Sequence, residues 1–178
     1  MPERSRVAVL ISGRGSNMAA LIYASRADDC PYEVRLVTGD NPDAPGLGLA
    51  KAEGVPVVRL ATPTPKTKDH YLRDLHVLLE KEAIDLITLA GFMRIIPEDF
   101  LSRWEGRIVN IHPSLLPKHK GLRTHEACLA ADEKVSGATV HLVTPELDSG
   151  DILAQVEVAV LPGDTAETLA ERVLIAEH

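Results

Sequence analysis

Aromatic side chains make up only 3% of this 178-residue sequence, and it has just two cysteines, Cys30 and Cys128. A core so poor in rings must be filled by Val, Leu, Ile and Ala, a diet that suits buried parallel strands covered by helices. The two thiols lie too far apart to form a metal knuckle or a redox pair, which points to a reduced, cytosolic chain. Basic residues are outnumbered by acidic ones, 19 against 26, for a formal charge of −7. That balance lacks the basic footprint that a nucleic acid partner needs. No apolar run is long enough for a signal peptide or a membrane span, and no repeat or low-complexity tract occurs. The length fits a single domain over 1–178 with a full core.

What is present is an alternation of short apolar runs and helical patterns. Strands are expected over 7–11, 34–38, 55–60, 85–89 and 108–112. Helices are expected over 18–27, 45–53 (closed by Gly54), 69–82 and 97–103, with a proline-stiffened loop at 61–68. After 112 come a helix to about 131, a hairpin-like pair of strands over 138–143 and 152–160, and a last helix opening at Asp164 or Thr165. The pattern predicts an α/β fold: an open, mostly parallel, Rossmann-like sheet with helices on both faces, mixed at its C-terminal strands.

Three stretches carry chemistry. The first strand runs into Ser12-Gly13-Arg14-Gly15-Ser16-Asn17 and then a helix, a layout that aims backbone N–H groups and the positive helix end at an anion. Ser16 and Asn17 offer donors and an N-cap. The third glycine of the dinucleotide fingerprint and the lysine of the triphosphate loop are both missing, so the turn suits a phosphate monoester without NAD or ATP. Any tight strand-to-helix turn can also use two glycines. The second stretch, 90–97, sets apolar residues around Arg94 at a strand's carboxyl end. It suits a flat heteroaromatic ligand, or equally a core-facing loop with a surface arginine.

The third stretch is Ile108-Val109-Asn110-Ile111-His112-Pro113-Ser114-Leu115-Leu116-Pro117. Asn110 and His112, two apart on a strand, project to the same side at the end where open α/β sheets bind ligands. Two buried, satisfied polar residues would be the plainer account. The run His125-Glu126-Ala127-Cys128 lacks the second histidine of a zinc motif. Trp104 reads as packing, and His70, His76, His119, His125 and His141 as surface or packing.

Taken together, the turn at 13–17, the segment 90–95, the stretch 110–117 and Glu146-Leu147-Asp148-Ser149-Gly150 resemble the folate-dependent phosphoribosylglycinamide formyltransferases along essentially the whole chain. The resemblance implies that Gly15, Ser16 and Asn17 hold the substrate phosphate and that Glu177 contacts the amine-bearing substrate. It implies that Met93, Arg94, Ile95 and Ile96 line a pterin pocket, that Lys68 contacts the folate, and that Thr144, Pro145, Glu146 and Leu147 belong to a loop closing over it. A cis bond between Leu116 and Pro117 is implied too. Arg14, Arg123 and Pro145 depart from the family's usual residues, and family chains usually continue past the position of His178.

The reaction so implied passes a formyl group from 10-formyltetrahydrofolate to the amine of glycinamide ribonucleotide, in purine synthesis. Asn110 and a protonated His112 would donate to the formyl oxygen, and the carboxylate of Asp148 would favour the charged imidazole. No metal is called for, so activity is expected to survive chelation; the chain is expected to be a cytoplasmic monomer or homodimer. Rival readings are a formyltetrahydrofolate hydrolase, a tRNA-formylating relative, which would call for an RNA-binding domain and a basic surface, and a non-catalytic phosphate-ligand binder.

Overall fold

The computed structural model describes residues 3–60 and 68–178, and the side chains of residues 68 and 69 lie outside that description. The expected loop therefore falls outside the described residues over 61–67, as does the side chain of Lys68, whose backbone already belongs to a helix. The chain forms two compact units, Met1–Ile108 and Val109–His178.

In the first unit β1 (Ser5–Ile11) is the central strand, flanked in parallel by β2 (Tyr32–Gly39) and β3 (Leu86–Leu89). Val7, Ala8, Val9, Leu10 and Ile11 are all buried, so both faces of β1 are covered. That explains why it reads as an unbroken apolar run and not as an alternating one. Val7, Val9 and Ile11 pack with Met18 and Ile22 of α1 (Ser16–Ala24) and Leu47 and Ala50 of α2 (Pro45–Ala52). In α3 (Lys68–Lys81) Tyr71, Leu75 and Leu79 are buried, and in α4 (Glu98–Arg103) Phe100 and Leu101. Burial pushes the Tyr71 hydroxyl above its ordinary range, and the nearby charge of Asp40 adds to the shift. Trp104 is packing, as expected: it is 2% exposed and its indole N–H donates to Nδ1 of His76 at 3.2 Å.

Three expectations need correction. The strand at 55–60 is only a single bridge between Val37 and Val57, supported by Val37 N–H to Pro56 O at 2.9 Å and Val58 N–H to Val37 O at 3.1 Å. Pro56 has no N–H to extend a ladder. Helix α1 stops at Ala24, short of 27, where the Ser25 hydroxyl donates back to Ile22 O and i→i+3 turns take over. Its N-cap is Gly15, in the left-handed region at φ 77°, and neither Ser16 nor Asn17.

In the second unit β4 (Ile108–His112), β5 (Val135–Leu142) and β6 (Ile152–Ala159) are antiparallel neighbours in that order. The expected mixing of the sheet at its C-terminal strands is observed. Helix α5 (Thr124–Ala130) and α6 (Ala166–Glu177) cover it, and Cys128, Ala138, Val158, Leu169 and Val173 form the core. Thr165 caps α6 in a reciprocal box, taking Thr168 N–H on its hydroxyl while its own N–H donates to the Thr168 hydroxyl.

Ahead of that box, Arg172 grips Asp164 through both guanidinium nitrogens at 2.7 and 2.8 Å. This pairing, with the Leu161 N–H, holds the Asp164 carboxyl well below the usual carboxylate range. A depressed folded-state value stabilises above the unfolded carboxylate range and fades as pH falls through the folded value. Asp164→Asn should therefore lower Tm at pH 7, with the gap to wild type closing as the pH drops well below 4, about the unfolded value. Melting curves across pH check this; a gap that stays constant into strong acid rejects it.

Candidate active site

The constellation in the second unit follows from strand register. Asn110 on β4 sits opposite His141 on β5, and His112 opposite Thr139. Directly opposed residues share a face, so Asn110, His112, Thr139 and His141 all point the same way. Thr139 and its β6 partner Gln155 then shape the loop after β4. The Thr139 hydroxyl donates to Ser114 O at 2.7 Å and accepts from Leu116 N–H at 3.1 Å, while the Gln155 amide donates to Leu116 O at 2.9 Å. The Leu116–Pro117 bond is cis.

Asp148 lies in the turn between β5 and β6, at a left-handed φ of 46°. It does not cap its own turn. Its Oδ2 accepts from Gly121 N–H at 2.8 Å and stands 3.5 Å from Nδ1 of His112, and its Oδ1 stands 3.6 Å from Nε2 of His141. The side chains of Asp148, His112 and His141 are 8%, 7% and 2% exposed, so this is a nearly dry carboxylate between two imidazoles. Gly150 pins the turn to β5, because a Cβ there would meet Leu142 O at 1.9 Å. Thr144 and Ser149 hold the turn through their hydroxyls, to Glu146 O and Leu147 O. Pro145, Glu146 and Leu147 are exposed. Lys120 reaches across from the other loop to the Ser149 hydroxyl.

Hydrogen bonding assigns the protons. His112 Nε2 lies 2.9 Å from the His119 carbonyl, which only accepts, so Nε2 carries a hydrogen, and Nδ1 is turned toward the Asp148 carboxylate. His141 donates from Nδ1 to Leu142 O at 2.9 Å, leaving Nε2 to accept from the Asn110 amide at 3.2 Å. Asn110 is thereby turned with one amide hydrogen engaged and the second available. Burial pushes the neighbouring His125 below the ordinary imidazole range, against the opposing charge of Glu126. His141 escaped the sequence reading. The signal was there, in the polar Thr139 and His141 alternating with apolar Ala138, Val140 and Leu142, yet their face becomes known only with the register.

In the first unit, the turn at 13–17 and the segment after β3 are tied together by Ser12. Its N–H donates to Gly91 O at 3.2 Å and its hydroxyl accepts from Met93 N–H at 2.9 Å. The backbone rounds the turn at Gly15, and α1 has no acidic residue in its first turn to compete for an anion. The turn rests on the start of α2, where Gly46 N–H donates to Gly13 O at 3.1 Å. A Cβ on Gly46 would come within 2.9 Å of Gly13 O and 3.0 Å of Arg14 O, which makes Gly46 a support that sequence reasoning missed. Met93 and Ile95 are 72% and 88% exposed, Ile96 is buried, and Arg94 is held by Asp40 at 2.6 Å. Glu177 is the last residue of α6, partly exposed. Arg123, at 81% side-chain exposure, faces solvent beside Glu126. Among the described residues no helix is long and apolar enough to cross a membrane.

Comparison with known proteins places these features in context. Residues 5–178 match the family model described as formyl transferase. The chain is 40% identical over 172 residues to the phosphoribosylglycinamide formyltransferase of Escherichia coli, covering 97% of this chain and 81% of that protein. It is 41% identical over 176 residues to the human trifunctional purine biosynthetic protein adenosine-3, covering 99% of this chain but only 17% of that much longer protein. A crystal structure of phosphoribosylglycinamide formyltransferase from Brucella melitensis superposes with a TM-score of 0.94 at 47% identity, over 98% of this chain and 90% of that one. The chain belongs to the formyl transferase family.

Proposed function

We propose that this chain is a phosphoribosylglycinamide formyltransferase, passing the formyl group of 10-formyltetrahydrofolate to the primary amine of glycinamide ribonucleotide in purine synthesis. The observation that carries the reading is the dry carboxylate of Asp148 set between His112 and His141, with the Asn110 amide turned by His141. A module that only binds a phosphate ligand has no use for that arrangement.

The substrate amine attacks the formyl carbon, forming a C–N bond and moving the carbonyl electron pair onto oxygen. The free amide hydrogen of Asn110 meets that oxygen, and His112, on the same face of the strand, assists. Collapse of the intermediate breaks the bond from the formyl carbon to the folate nitrogen. The attacking nitrogen gives up a proton and the folate nitrogen takes one. His112 and Asp148 move it, through Nδ1, because that nitrogen has only a loose partner while Nε2 is engaged. The phosphate lies on Gly15, Ser16 and Asn17, and Glu177 meets the amine-bearing substrate. The reduced folate lies along Met93, Arg94, Ile95 and Ile96, with Lys68 and the loop of Thr144, Pro145, Glu146 and Leu147 as further contacts. The partners are thus small molecules. The free thiols of Cys30 and Cys128 fit a reducing cytoplasm.

The deciding experiment mixes purified protein with the formyl donor, with and without the ribonucleotide amine. Transfer that requires both substrates is expected. Formate released without the amine identifies a hydrolase, and phosphate-ligand binding with no turnover identifies a binder.

The anion turn has its own test. Gly46→Ala should raise KM for the ribonucleotide by about tenfold, the loss of roughly one charge-assisted hydrogen bond, and leave KM for the folate near wild type. Equal effects on both substrates would reject a local role for the turn.

A further inference from the structure

We propose that His119, Cys128 and Glu133 form a binding site for a thiophilic divalent cation of the zinc class, distinct from the transfer chemistry. Their donor atoms, one imidazole nitrogen, one thiol sulfur and one carboxylate oxygen, all lie within 4.8 Å of one another. Ligands around a tetrahedral zinc ion, at about 2.0–2.3 Å from it, stand roughly 3.3–3.8 Å apart. Small side-chain rotations close that difference. The donors come from three places: the loop after β4, the middle of α5, and the turn after α5, where Glu133 N–H bonds to Cys128 O at 3.3 Å.

Cys128 is 1% exposed and forms the floor, while His119 and Glu133, with side chains 18% and 20% exposed, form the rim. His119 and Glu133 already face each other, Nε2 to Oε1 at 3.0 Å, and the other carboxylate oxygen holds Lys118 at 2.9 Å. Lys118 is 60% exposed and free to swing into water.

On binding, the thiol S–H bond breaks, its proton goes to solvent and a sulfur–metal bond forms. The His119 nitrogen offers its lone pair, and Glu133 exchanges the imidazole for the ion. Thiolate and carboxylate together neutralise the divalent charge, and a thiolate–imidazole–carboxylate set favours zinc or cadmium over magnesium or calcium. Of the three, His119 meets the catalytic His112 through its backbone carbonyl and not through the proposed ligand atom, so the site does not draw on the transfer machinery and stands whether or not the proposed reaction is correct.

Titration of the full chain with Cd2+, followed by the ultraviolet sulfur-to-cadmium charge-transfer band, tests this. One ion per chain is expected, displaced by Zn2+ and not by Mg2+. Cys128→Ala should abolish the band and Cys30→Ala should keep it. His119→Asn, suited to the left-handed φ of 52° at that position, and Glu133→Gln should weaken binding by about tenfold or more. A band that survives Cys128→Ala, or is lost with Cys30→Ala, overturns the site. So does wild-type affinity in both rim variants, or the absence of any band, and the rim variants decide the matter if Cys128→Ala does not fold.

Discussion

Asn110→Ala is expected to lower kcat by about a hundredfold to a thousandfold, the usual consequence of deleting one preorganised oxyanion donor, with KM for both substrates close to wild type. The reason lies in the partners of the amide. His141 fixes which way the amide faces, because its Nδ1 is committed to Leu142 O and its Nε2 must accept. One Asn110 hydrogen is therefore spent inside the protein, and the other is available at no cost in reorganisation when charge develops on the formyl oxygen. An interaction felt only at that stage lowers kcat and leaves ground-state binding alone. Asn110→Asp, of the same shape but lacking the N–H, should fall as far. Steady-state kinetics with each substrate varied decides it: turnover within about threefold of wild type, far short of an oxyanion donor's effect, would remove Asn110 from the reaction.

The second large effect belongs to Asp148. Asparagine is well matched to this position, since it tolerates the left-handed backbone and its carbonyl oxygen can still accept from Gly121 N–H. Asp148→Asn thus removes the charge between the two imidazoles while keeping the turn. A fall in kcat of about a hundredfold to ten-thousandfold is expected, the range for losing a positioned acid–base group, with little change in KM. Asp148→Ala also abandons the Gly121 N–H and should lower Tm, which Asp148→Asn should not do to the same extent. Wild-type turnover in Asp148→Asn would leave the carboxylate with a purely structural role.

Legibility differed from element to element for physical reasons. The doubly buried β1 and the helix carrying Leu75 and Leu79 could be read because burial leaves a short-range hydrophobic pattern. The run 55–60 has the composition of a strand but collapsed to one bridge, since Pro56 removes the donor that a ladder needs and composition does not report hydrogen bonding. Ser16 and Asn17 are good capping residues by type, but the cap of α1 falls at Gly15, because the backbone turns left-handed one residue earlier. By type alone, lone histidines read as surface or packing. That holds for His76 beneath Trp104, but not for His141, which pairs with Asn110 across the strands.

The order of residues along the chain settled that Asn110 and His112 share a face, that a glycine turn follows the first strand, and that an acid-rich, ring-poor chain builds an α/β core. These are local consequences of side-chain alternation, backbone freedom and composition. Only the tertiary structure decided that His141 stands opposite Asn110, that Asp148 reaches Gly121 and both imidazoles instead of its own turn, and that Gly46 props the anion turn from another helix. Those facts depend on strand register and on contacts between residues far apart in the chain, which no local pattern encodes.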